Sequence, residues 1–170
     1  FLGEWGTIYE RFGVPSEIGL AQAMLESGLN GRARSPSRAL GFCQFLSRNW
    51  RQLDRLSPEV IEAYNQTTQA PYCAAYLTIL TTMYGSFLPA LSEHHAGGVN
   101  VGRTLINGER IGGSDTREQY LLGAEFSSIL RGISIRRYRR LFRTFGRRSR
   151  LYSEMVFGNT VNVTRMMNKY

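Results

Sequence analysis

Glu26, in the run Met24-Leu25-Glu26-Ser27-Gly28, is the residue best placed for proton transfer. Pro15 and Ser16 open a helix, with Ser16 positioned to cap it and Glu17 in its first turn. Ile18, Ala21, Met24 and Leu25 recur at helical spacing and make one face apolar. Gly28 can adopt the left-handed conformation that stops a helix, so Glu26 falls in the last turn. The helix dipole disfavours negative charge there, and apolar neighbours make ionisation costlier. Those conditions suit a general acid. A lone glutamate at a helix end also reads as an ordinary solvated group. What favours chemistry is the pattern downstream, with Ser35 nine positions on and Gln44, in Gly41-Phe42-Cys43-Gln44, eighteen positions on. The next carboxylate after Glu26 is Asp54, so the intervening loop offers no second acid.

The elements needed to hold this pattern are mostly helices. Trp5, Ile8, Tyr9 and Phe12 predict a short amphipathic helix ended by Gly13. After the Glu26 helix, residues from Asn30 to Phe45 are rich in Gly, Ser, Arg and Pro and read as a loop or small hairpin, one wall of a cleft. Ser47 can cap a helix carrying Trp50 and Leu53, and Ser57-Pro58-Glu59 is a further helix start. Residues from Gln69 to Tyr84 make the most apolar helix, with Tyr72, Cys73, Tyr76, Leu77, Leu80 and Met83 at helical spacing, ended by Gly85. A short helix follows from Ser86 to Glu93. Val99 to Gly113 is punctuated by glycine and reads as irregular, apart from a turn around Arg103 to Ile106. Ser114 or Asp115 caps a helix to about Leu130. Beyond it, Ile135, Tyr138, Leu141, Phe142 and Phe145 fall at helical spacing, with the arginines on the other face.

Glu26-Ser27, Asn30, Ser35 and Gly41-Phe42-Cys43-Gln44 together resemble the lytic transglycosylase family with the soluble-lytic-transglycosylase, goose-type-lysozyme-like fold. In that family a helix ends in Glu-Ser, followed by an Asn, a Ser and Gly-Leu-Met-Gln. Phe42-Cys43 replaces Leu-Met here, keeping bulk and adding a thiol. Asn65, Ala70 and Tyr76-Leu77 are similar to the family's central helix. Ala96-Gly97 matches its Ala-Tyr-Asn-Ala-Gly segment, with His94 and His95 standing where Tyr and Asn usually are. Thr116-Arg117 and Tyr120 resemble its Glu-Thr-Arg-x-Tyr segment, with one extra residue before the tyrosine. The resemblance runs from Gly13 to about Leu122. It implies a mainly α, lysozyme-like single domain with a small loop or hairpin excursion beside the catalytic helix. Glu26 would be catalytic, and Ser35, Gln44, Tyr120 and His95 would bind substrate, with Tyr120 restraining Glu26. The substrate implied is peptidoglycan, and neither cofactor nor metal is implied.

A chain of 170 residues is one ordinary domain. The resemblance divides it into a lysozyme-like domain over 1–130 and an arginine-rich C-terminal helical extension over 131–170, packed on the same domain. Hydrophobic residues at 42% and charged residues at 20% argue against a disordered chain. No run of eighteen apolar residues is present. No secretory signal is visible and the chain begins at Phe1, which reads as a mature protein or an excised domain of the bacterial cell envelope, periplasmic or secreted. The formal net charge is +8 and Lys169 is the only lysine, so an anionic partner is favoured. The arginine face of the extension would meet anionic wall polymer or lipid headgroups. Adjacent His94 and His95 point different ways on a helix, against a two-histidine metal site and in favour of packed side chains. Cys43 and Cys73 show no zinc spacing, and either form one bridge or stay buried as apolar residues. With Cys43 beside the cleft and Cys73 on the helix behind it, a disulfide is the expectation.

The function expected is a lytic transglycosylase that breaks the β-1,4 bond between N-acetylmuramic acid and N-acetylglucosamine and closes a 1,6-anhydro ring. A monomer is expected. Two alternatives stay open. One is a goose-type-lysozyme-like hydrolase holding water with Asp54 or Asp115. The other is a non-catalytic wall- or nucleic-acid-binding module using the arginine-rich tail, although no nucleic-acid motif is present.

Overall fold

Apolar repeats of helical period, broken by glycine, serine and proline, produce a mainly α-helical chain in the computed structural model, which describes residues 2–56, 58–59, 65–132, 136 and 147–169. Its contacts separate into two compact units, one formed by Phe1–Thr78 with Met155–Tyr170, the other by Ile79–Glu154.

In the first unit, helix α1 (Leu2–Arg11) buries Trp5 and Tyr9 against helix α2 (Ser16–Ser27), whereas Phe12 is left exposed. The approach is close because Gly19 of α2 has no side chain, and a Cβ there would overlap the Tyr9 ring. Complete burial raises the Tyr9 hydroxyl above its ordinary pKa. That hydroxyl lies 3.7 Å from the Cys43 sulfur. The start of α2 differs from the capping expected at Ser16. Pro15 is the capping residue, and its carbonyl accepts from Ile18 N (3.0 Å) and Gly19 N (3.3 Å). Ser16 is already helical, and its hydroxyl turns to Glu17 at 3.4 Å. Proline's fixed φ supplies the entry angle, so no side-chain cap is made.

After α2 the chain makes a two-stranded antiparallel hairpin, β1 (Ala39–Leu40) and β2 (Phe45–Leu46), with Ala39 opposite Leu46 and Leu40 opposite Phe45. Helix α3 (Ser47–Leu56) follows directly. Ser47 is its first residue and donates to the Arg38 carbonyl at 2.9 Å instead of capping the helix. Trp50 is the buried anchor of α3, donating from its indole to the Leu40 carbonyl at 3.1 Å and packing on Phe45 with centroids 5.2 Å apart. Helix α4 (Gln66–Tyr84) begins three residues before the expected start. Its buried stripe is Ala70, Cys73, Ala74, Leu77 and Leu80, while Met83 is exposed.

Cys43 and Cys73 form a disulfide, Cα to Cα 6.1 Å, tying the hairpin turn to α4. Of the two readings left open by spacing alone, the bridge is the one realised. Intact mass spectrometry of native, non-reduced protein should therefore show no alkylation, and two alkylated thiols only after reduction. Two thiols alkylated without reductant would contradict the bridge.

The second unit holds the end of α4, α5 (Phe87–Ala96), α6 (Gly98–Arg110), α7 (Thr116–Gly132), the short α8 (Arg147–Arg150) and the first residues of α9 (Tyr152–Met167). Ser86 caps α5 by accepting from Leu88 N at 3.3 Å. Asp115 caps α7 by accepting from Glu118 N at 2.8 Å, and Glu118 accepts in return from Ser114 N at 2.8 Å. The hydrogen bonds from Ser114, side chain first, hold the Glu118 carboxyl below its ordinary pKa.

Residues 98–110 overturn the expectation of irregular chain between Val99 and Gly113. They form α6, entered through Gly97 at φ 85° straight from the end of α5. The glycines there permit contact. A Cβ on Gly108 would overlap the Gln119 carbonyl, and one on Gly123 of α7 would overlap the Thr104 carbonyl. Two helices meet backbone to backbone, so the glycine cost to a helix is offset by packing.

The expected amphipathic helix over Ile135 to Phe145, with Arg137, Arg139, Arg140 and Arg143, lies outside the described residues, as do Ser57 and residues 60–64. Of the chain after it, Arg150 pairs with Glu125 at 3.6 Å.

Candidate active site

Glu26 occupies the last turn of α2, half-buried, as expected from sequence. Gly28 closes the helix at φ 61°, ψ 30°, with Gly28 N bonded to Met24 O at 2.9 Å and Leu29 N to Ala23 O at 3.5 Å. This pairing satisfies carbonyls that a helix end leaves exposed. Ser27 bonds back to the Ala23 carbonyl at 2.8 Å, so its hydroxyl belongs to the helix.

The segment from Leu29 to Gln44 is tightly cross-braced. Asn30 accepts from Arg32 N through its side chain (2.9 Å) and from Ala33 N through its carbonyl (3.0 Å). Ser35 is half-buried, and its hydroxyl oxygen accepts from Ala39 N at 3.0 Å while Ser35 N donates to Ala39 O at 3.0 Å. That leaves the hydroxyl hydrogen for another acceptor. Gln44 takes a left-handed backbone, φ 51°, and donates from its amide nitrogen to Gly41 O (2.8 Å) and Ala33 O (3.0 Å). Its carbonyl oxygen remains to accept. Ser35 and Gln44 therefore stand on one braced loop that begins where the Glu26 helix ends.

Two residues that matter here were not identified from the sequence. Gln69, fully buried on α4, accepts from Phe42 N at 2.9 Å and donates to Gly31 O at 2.9 Å. Gly41, at φ 89°, faces it, and a Cβ there would overlap the Gln69 amide. The signal was present, since Gln69 precedes Cys73 and Leu77 at helical spacing and so lies on the buried stripe. Gln22, also fully buried, precedes Glu26 by one turn on the same helix face, and its amide has no hydrogen-bond partner among the described residues.

Tyr120 and His95 belong to the other unit. Tyr120 is fully buried, and burial raises its hydroxyl pKa; the hydroxyl has no hydrogen-bond partner among the described residues. Ser153 donates to the Leu88 carbonyl at 2.7 Å. His95, exposed in the last turn of α5, stacks on Tyr152 with centroids 4.4 Å apart and planes 7° apart. The neighbouring Glu93 accepts a hydrogen bond from Tyr84. Among the described residues no group of three or more His, Cys, Asp or Glu could hold a metal ion. Among them, too, no helix is long and apolar enough to cross a membrane.

Compared with protein families, the chain matches the transglycosylase SLT domain over residues 5–111. The matched stretch includes Glu26, Ser35, Gln44 and His95 and stops short of Tyr120. No curated protein matches the chain.

Proposed function

Because the chain belongs to the transglycosylase SLT domain family, and so carries a lytic-transglycosylase-type domain that acts on peptidoglycan, we propose that Glu26 is its single acid and base. The supporting observation is the setting of that carboxyl group, half-buried in the last helical turn where a braced loop carrying Ser35 and Gln44 begins.

Protonated Glu26 donates to the glycosidic oxygen as the bond from C1 of N-acetylmuramic acid breaks. The substrate's own N-acetyl carbonyl stabilises the positive charge that develops at C1, a route that needs no second protein carboxylate. Glu26, now ionised, removes the proton of the C6 hydroxyl, which attacks C1 and closes the 1,6-anhydro ring. The carboxyl group returns to its protonated form and water is not consumed. Ser35 donates its hydroxyl hydrogen to the sugar near the reacting ring, and the Gln44 carbonyl orients it. His95 is a further contact for the glycan strand. The arginines after residue 130 bind anionic wall polymer or lipid headgroups. The protein works as a monomer in the cell envelope, periplasmic or secreted.

The products test this chemistry. Sacculi digested by the wild-type protein should release muropeptides ending in 1,6-anhydro-muramic acid, each lighter by one water than the hydrolytic product. Mass spectrometry showing only reducing-end muropeptides would make the protein a goose-type-lysozyme-like hydrolase instead.

A further inference from the structure

The loop that braces Ser35 and Gln44 continues into a basic face with no role in the chemistry above. From Gly31 to Leu56 the sequence holds six arginines, Arg32, Arg34, Arg38, Arg48, Arg51 and Arg55, and one carboxylate, Asp54. All six arginines are exposed. Arg48, Arg51 and Arg55 lie three and seven residues apart on α3, so they share one face, opposite the buried Trp50, over about 10 Å of helix. The Ser47 hydroxyl, bonded to the Arg38 carbonyl at 2.9 Å, fixes the Arg38 backbone beside the first turn of the same helix.

This arrangement is unfavourable for the isolated protein. Like charges three and four residues apart on a helix repel, and Arg48 stands at the helix end where the dipole disfavours a cation. Arg32, Arg38, Arg48, Arg51 and Arg55 make no ion pair with another described residue. An anion with several carboxylates would relieve both strains. Guanidinium groups suit that partner because their planar fork bonds a carboxylate through two parallel N–H groups.

We propose that the Arg38–Arg55 face binds the carboxylates of the peptides that hang from the glycan strand, holding the strand beside the loop of Ser35 and Gln44. The proposal rests on the peptidoglycan reading above and adds to it the substrate's charged side branches.

The test is co-sedimentation with purified sacculi of wild-type protein, of the triple variant Arg48→Gln, Arg51→Gln, Arg55→Gln, and of a charge-matched control, Arg103→Gln, Arg110→Gln, Arg117→Gln. The control removes three exposed arginines of the other unit. At low salt the first variant should bind about fivefold to tenfold more weakly than wild type, as expected for three surface charge pairs. The difference should vanish at high salt, where exposed charges are screened. The control should bind like wild type, and neither variant should melt below wild type, since the first variant also loses the repulsion among its arginines. Converting the sacculus carboxylates to amides should erase the difference between wild type and the first variant, and stripping attached phosphate polymer should preserve it. Equal weakening by both variants would make the effect one of net charge and overturn the proposal. So would a difference that survives amidation or is lost with the phosphate polymer, or a first variant that binds like wild type. A wild-type protein that neither binds nor cleaves sacculi would fail the peptidoglycan reading itself, and this one with it.

Discussion

Glu26→Gln is expected to fold and to bind glycan like the wild type while losing nearly all turnover. Glutamine keeps the length and polarity of the side chain but can neither give up a proton to a glycosidic oxygen nor take one from a hydroxyl. One positioned proton transfer contributes about 10²- to 10⁴-fold to a rate. The proposed cycle uses the same carboxyl group twice, so the loss should lie at or above the upper end of that range. The helix around it gives no reason for unfolding, because its last turn is closed by backbone bonds from Gly28 and Leu29 that do not involve the Glu26 side chain. Release of muropeptides from sacculi measures the loss, and retained co-sedimentation shows that binding survives. Undiminished cleavage would take Glu26 out of the chemistry.

Gln69→Met should be the most damaging substitution outside the chemistry. Methionine fills nearly the same space, so no large cavity is expected. What disappears is a pair of buried hydrogen bonds, one accepted from Phe42 N and one donated to Gly31 O, each 2.9 Å long. Removing one partner of a buried hydrogen bond leaves the other desolvated at a cost of about 1–3 kcal/mol, so two such losses amount to roughly 2–6 kcal/mol. The Cys43–Cys73 disulfide still ties the neighbouring residue to α4, so the loop would be loosened at Gly31 before it came away at Cys43. Denaturant unfolding should show a lower midpoint with an unchanged slope. Activity should fall as well, because Ser35 lies between Gly31 and the hairpin and Gln44 lies in the hairpin turn next to Cys43. A variant as stable as wild type would mean that water replaces the amide.

The two expectations differ in how far they could be foreseen. Glu26 and its helix depend on local chemistry, since Pro15 sets the entry, the apolar period sets the buried face and Gly28 sets the stop, all within fifteen residues. Such signals act through φ, ψ and hydrogen bonds between near neighbours, so they survive being read one residue at a time. The braced loop was legible as a loop or small hairpin, but not in what holds it. Its architecture depends on Gln69, which meets Phe42 and Gly31 across 27 and 38 residues.

Residues 98–110 show the same limit from the other side. Gly98, Gly102, Gly108, Gly112 and Gly113 read locally as breakers, because glycine weakens an isolated helix. Packing reversed that preference, since the missing Cβ at Gly108 is what admits the Gln119 carbonyl. Ser16 and Ser47 are smaller instances, where a hydroxyl suited to capping found a different partner.

The sequence by itself determined the helical class, the helix that ends at Glu26, the lone carboxylate of the motif and the arginine excess, because composition and short-range periodicity carry them. Only the tertiary structure decided that Cys43 joins Cys73, that Gln69 clamps the loop, that α6 is a helix and that the Arg38 backbone stands beside Ser47. Each of these depends on residues distant in sequence coming within a few ångströms, and hydrogen-bond and packing energies at that range have no signature in local order.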